Sequence, residues 1–134
     1  MSQGTGVGQV NGQAKVQGTI ASGETLQVDF ESIPKNSFGA PFTLDFNEVK
    51  GFVFYNEGTG TSDTINVKAT GSNAMTGIFN GGAGDLVVNP YGTYSYFDYY
   101  GDLKSSSSNR YLYFQNNSPD GDLNYSYIVI GVTG

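Results

Sequence analysis

The sequence predicts an all-β protein, an antiparallel β-sandwich of jelly-roll type with about eight or nine strands. The alternation in TYSYFDYY, RYLYFQNN and LNYSYIVIGV has a period of two residues, which places successive side chains on opposite faces of a strand. Twenty glycines, 10 tyrosines and 9 phenylalanines suit short strands joined by tight turns, because glycine accepts positive φ and aromatic rings fit a half-buried pleat. No window of about ten residues carries a helical stripe. A chain of 134 residues is long enough to bury on the order of two-thirds of its unfolded surface in one core.

Residues 1–13 are almost entirely Gly, Gln, Ser, Thr, Asn and Val, which predicts a flexible N-terminal arm ahead of a single β-sandwich domain, residues 14–134. Such an arm is ordered when a neighbouring sheet or subunit ties it down, so Val7 and Val10 are candidate inter-subunit contacts. AKVQGTI leads through Ala21-Ser22-Gly23 into ETLQVDFESI, where Leu26, Val28 and Phe30 point inward and Gln27, Asp29 and Glu31 outward. Ile33-Pro34-Lys35-Asn36 breaks the pattern. FTLDFNEVKGFVFYN is either two strands or one strand bent at Gly51, and NEGTGTSD follows as a loop. DTINVKAT carries Ile65, Val67 and Ala69 inward. A weaker stretch, TGIFN, precedes the Gly81-Gly82-Ala83-Gly84 turn, and DLVVNP stops at Pro90. The three aromatic segments complete the count, joined by GDLKSSSSN and NNSPDGD.

In RYLYFQ, Leu112 and Phe114 are expected in the core with Tyr111 and Tyr113 opposite. In LNYSYIVIG, Ile128 and Ile130 are expected in the core with Tyr125 and Tyr127 opposite. Together with Tyr94 and Tyr96 these tyrosines form either the rim of the core or an exposed aromatic platform for a partner or a second copy. As a platform they could instead stack on sugar rings. Tyr99 and Tyr100 then add aromatic surface, and Asp98, Asp102, Asn116, Asn117 and Asp120 engage hydroxyls.

The absence of histidine, cysteine and tryptophan removes most catalytic and metal-binding chemistry. Paired carboxylates remain, drawn from Asp29, Glu31, Asp45, Glu48 and Glu57, and a glycosidase needs two of them ~5–9.5 Å apart across a cleft. Solvation explains Asp29 and Glu31 equally well, and no enzyme is expected. The run Asn116 to Asp122 has oxygen ligands at alternate positions, as a calcium loop would, but Tyr127 stands where a bidentate Glu belongs and Pro-Asp-Gly reads first as a turn. The glycine clusters GTGVG and GGAG lack the strand–helix context of a phosphate cradle.

Twelve acidic residues against six basic ones give a net charge of −6, and Lys15, Lys35, Lys50, Lys68, Lys104 and Arg110 are scattered. Nucleic acid and anionic membranes are therefore not expected partners. No segment approaches the roughly 20 apolar residues of a spanning helix, and MSQGTGVGQV lacks the features of a signal peptide, so synthesis in a host cytoplasm is expected.

The order of a strand ending FVFYN, a Gly/Thr/Ser loop, TINVKA, a stop at Val88-Asn89-Pro90-Tyr91-Gly92 and strands closing on IVIGVTG resembles the small β-sandwich structural proteins of tailed-phage heads, including jelly-roll capsid and decoration proteins. The resemblance covers residues 42–134. It implies a non-enzymatic virion component that self-associates as a homo-oligomer or sits on a capsid lattice, without a cofactor. The alternative expectation is a carbohydrate-binding module using the same tyrosines.

Overall fold

The computed structural model describes residues 2–6, 9–37, 40–75, 78, 86–98 and 105–133. Among them are β1 (Ser2–Gln3), β2 (Gln9–Val10), β3 (Gly12–Ile20), β4 (Thr25–Asp29), β5 (Ile33–Ser37), β6 (Ala40–Leu44), β7 (Phe46–Asn56), β8 (Ile65–Lys68), β9 (Leu86–Val88), β10 (Thr93–Phe97), β11 (Tyr111–Asn116) and β12 (Leu123–Thr133). Eight strands build two four-stranded sheets, ordered β10-β7-β12-β3 and β4-β11-β8-β9. This order follows from nested antiparallel pairing. β3 pairs with β12, β4 with β11, β7 with β10 and β8 with β9, so the chain is one long ribbon doubled at its middle and rolled into two layers. That is the jelly-roll arrangement, and the expected antiparallel sandwich is the one observed. The four other strands form short ribbons, β1 with β2 in parallel and β5 with β6 antiparallel.

The inner faces meet in an aromatic core. Phe54 of one sheet stacks on Phe114 of the other with centroids 3.9 Å apart, and Phe52 touches Phe30 edge-on at 5.4 Å. Val28, Ile65, Val67, Leu112 and Phe114 are buried as their alternation requires. The expectation for β12 is corrected: Tyr125, Tyr127 and Val129 face the core, at 7, 4 and 0 % exposure, while Ile128 points outward at 39 %. The phase is set by neighbours. Tyr125 lies opposite Gly18 of β3, where the missing side chain leaves room for its ring, and it stacks on Phe54 at 5.6 Å.

Burial pushes the Tyr127 and Tyr125 phenols above their usual 10, and that of Tyr94 up to about 12. The charged form of a phenol is the deprotonated one, so a raised folded-state pKa contributes stability that is complete below pH ~10 and lost as pH climbs through about 12. Urea midpoints followed with tyrosinate absorbance are expected to fall above pH ~10, with these phenols ionising as the chain unfolds. Smooth ionisation of all 10 tyrosines on an intact fold would contradict their burial.

FTLDFNEVKGFVFYN is two strands, β6 and β7, parted at Asp45. Within β7 a bulge falls beside Gly51: Gly51 pairs with Ile130 and Val49 with Gly131, which leaves Lys50 as the extra residue. The bulge presses the Glu48 carbonyl onto Gly131, where a β-carbon would collide with it. The Lys50 side chain is fully buried, its Nζ 2.6 Å from the Gly6 carbonyl and 3.7 Å from the Glu48 carboxylate.

That contact anchors the N-terminal segment. Gly4 N donates to Val10 O at 2.7 Å, and Asn11 exchanges hydrogen bonds with the Thr133 backbone at the end of β12. In the isolated chain these residues lie folded on their own domain rather than standing free, Val10 is half-buried, and regular pairing with β12 begins at Gly12. Val7 and the Gly81–Gly84 turn lie outside the described residues.

Candidate functional site

The structure divides the six tyrosines expected on one face. Tyr94, Tyr96, Tyr125 and Tyr127 pack against the core, whereas Tyr111 and Tyr113 stand half-buried on the outer face of the other sheet. Tyr99, Tyr100 and Asp102 lie outside the described residues. Asp98 is half-buried, and its carboxylate accepts from the Tyr96 hydroxyl at 3.4 Å.

On the outer face of β4-β11-β8-β9, the register lays Asp29, Gln27 and Thr25 beside Tyr111, Tyr113 and Gln115, with Lys68 and Asn66 on the far side of β11. The Tyr111 and Tyr113 rings are 6.3 Å apart. Between the strands lies a shallow cavity of about 250 Å3 lined by Thr25, Lys68, Thr70, Tyr113 and Gln115. Lys68 Nζ donates to the Gln115 amide oxygen at 3.3 Å. At the other end of this face Arg110 grips Asp29 with two hydrogen bonds of 2.9 and 2.7 Å, reaches Glu31 at 3.2 Å and lies over the Tyr111 ring. Asp29, foremost among these partners, raises the Arg110 pKa. The candidate dyad Asp29–Glu31 is thus a two-carboxylate clamp on one guanidinium.

Loops gather at one end of the sandwich around two buried asparagines. Asn56 ends β7, and its Nδ2 donates to Asp63 O and Val88 O at 2.7 and 3.1 Å while its Oδ1 accepts from Gly58 N. Asn116 ends β11 and repeats the device: Nδ2 donates to Ile20 O and Gly121 O at 2.8 and 3.0 Å, and Oδ1 accepts from Ser118 N at 2.7 Å. Asn116 is fully buried, which corrects its assignment as a sugar ligand. Asp120 is exposed, and its N–H donates to Ser118 Oγ. Ser118 Oγ in turn donates to Asp63, whose carboxylate is held below the usual range by this bond and by the Gly60 N–H. These oxygens are engaged in bracing loops, and no cluster of acidic residues able to hold a metal occurs among the described residues.

The outer face of β10-β7-β12-β3 is different in kind. Its rows read Gln17–Ser126–Tyr55–Thr93, Lys15–Ile128–Val53–Ser95 and Gln13–Ile130–Gly51–Phe97. Ile130 and Phe97 close over Gly51, and Phe97 is 64 % exposed. Glu48 is the one carboxylate in these four strands and sits beside Lys50, outside the three rows. Among the described residues these three rows are apolar at their centre and carry no carboxylate, in a chain of net charge −6, and Glu48 lies beyond them opposite Val132. Sequence reasoning missed Phe97, Val53 and Ile128 here. The signal was present, because Leu123 and Val129 share the phase of the tyrosines while Asn124 and Ser126 share that of Ile128.

No protein-family model matches the chain, and no curated protein matches it. Among solved structures it is similar to a de novo designed double-stranded β-helix, at 12 % identity over 85 % of this chain and 95 % of that one, TM-score 0.46. It is similar to the Yersinia pseudotuberculosis-derived mitogen at 16 % identity over 90 and 86 %, TM-score 0.44. The cyanophage Pam1 capsid matches at 15 % identity over 98 and 91 %, TM-score 0.34.

Proposed function

We propose that the protein is a non-enzymatic structural component of a virion, a capsid-associated or decoration subunit that assembles with copies of itself through the outer face of β10-β7-β12-β3. The virion assignment is what the resemblance of residues 42–134 implies. The observation that carries self-association is the set of three rows that hold no carboxylate among the described residues. Copies of an acidic chain repel one another wherever carboxylates meet, and this sheet offers an approach with apolar side chains at its centre and its one carboxylate, Glu48, off the three rows and beside Lys50. The N-terminal ribbon is a second contact element, because the few ties at Gly6 and Asn11 can be exchanged onto a neighbouring subunit.

Light scattering coupled to size exclusion is expected to give a multiple of 14.3 kDa for the full chain. Ile128→Glu and Phe97→Glu place charge on the exposed face and should return it to the monomer mass without lowering the melting temperature, and a chain starting at Gln13 isolates the part played by the ribbon. A wild-type chain that stays monomeric at high concentration and binds no particle would sink the reading.

A further inference from the structure

The other outer face carries a built cavity that self-association leaves unused. We propose that the cavity beside Tyr113 binds a single acidic sugar, a pyranose ring bearing a carboxylate at the end of a glycan. A pyranose presents a C–H face and a rim of hydroxyls, and the cavity answers both. Tyr113 supplies an aromatic wall, while the Thr25 and Thr70 hydroxyls and the Gln115 amide can each donate and accept. At about 250 Å3 the space lies below the ~300–1,000 Å3 of pockets for drug-sized ligands, which suits one ring.

The charge specificity comes from Lys68. It is the one charged side chain among the described residues lining the cavity, and its hydrogen-bond partner there is a neutral amide oxygen at 3.3 Å. The carboxylate across the face, Asp29, is held by Arg110 at 2.7 Å. An ammonium without a carboxylate partner among the described residues gains a charge-assisted hydrogen bond from a ligand carboxylate. The net charge of −6 repels polyanions, so the same site selects a singly acidic sugar over sulfated chains or nucleic acid. Tyr111, 6.3 Å from Tyr113, extends the surface to a second residue of the glycan.

The test is an array of oligosaccharides ending in sialic acid or in glucuronic acid, beside neutral galactose- and glucose-ended counterparts, probed with the full chain. Retention of either acidic set over the neutral one is expected, and the arm that binds names the acid. Lys68→Gln should weaken binding of the acidic set about tenfold, or ~1.4 kcal/mol, through loss of one charge-assisted hydrogen bond. Tyr113→Ala should abolish binding and Tyr113→Phe keep it, with melting curves recorded for each. No preference for an acidic terminus, or a Lys68→Gln protein that folds and binds as the wild type does, overturns the assignment. Because the site lies on the opposite layer from Ile128, Ile128→Glu should bind the array unchanged, which separates this outcome from that of the assembly experiment.

Discussion

Replacing Asn116 with alanine is expected to lower the unfolding free energy by about 3–5 kcal/mol and the melting temperature by roughly 10–20 °C. The side chain is fully buried and makes three hydrogen bonds to backbone, to Ile20 O, Gly121 O and Ser118 N. Alanine orphans all three groups, and each costs ~1–3 kcal/mol where water cannot replace the amide. Two layers depend on it, because Ile20 ends β3 in one sheet and Asn116 ends β11 in the other. Asn116→Asp separates donors from volume. It keeps the acceptor but turns a carboxylate oxygen toward two carbonyls, so urea unfolding at neutral pH should show a loss at least as large. An aspartate variant as stable as the wild type would refute the role of the amide donors.

The second large effect is expected at Gly131. A β-carbon there meets the Glu48 carbonyl, which is backbone of the adjacent strand and cannot rotate aside. Gly131→Ala must open the β7–β12 ladder at the bulge or expel Lys50 from its buried position, at a cost of about 3 kcal/mol or more. Gly23→Ala is a useful contrast. Gly23 has a left-handed φ of 77° with open space around it, so alanine there brings backbone strain without collision and should lose only about 1 kcal/mol. Chemical denaturation of the two variants side by side decides the matter, and equal losses would mean the bulge tolerates displacement.

The fold class was legible because its cause is local. Alternation in ETLQVDFESI, DTINVKAT and RYLYFQ marks a buried and a solvated face without knowledge of partners, and the observed burial of Val28, Val67 and Phe114 follows it. β12 was misread because hydrophobicity ranks isoleucine above tyrosine, whereas the space opposite Gly18 and the rings of Phe52 and Phe54 favour tyrosine. An inverted phase moves a whole set of residues to the other face. That inversion hides the apolar outer face around Ile128, because the pattern draws attention to the tyrosines on the inner side. The cavity at Tyr113 was illegible for a different reason: Thr25, Lys68 and Gln115 come from β4, the β8 end and β11, and only cross-strand register brings them together. The buried amide of Asn116 had no marker either, since an asparagine after a strand reads as a turn residue.

The nesting of β3 with β12 sets when the domain can form. β3 precedes the other strands of both sheets and its ladder partner β12 follows them, so no nascent segment that lacks β12 can complete the β10-β7-β12-β3 sheet. Closure waits for β12 to emerge, and long-range pairing of this kind folds in milliseconds to seconds rather than microseconds. During that delay the uncharged strands β10 and β12 of neighbouring nascent chains are the segments at greatest risk of pairing with one another, so the yield of native protein should fall as chains are synthesised closer together.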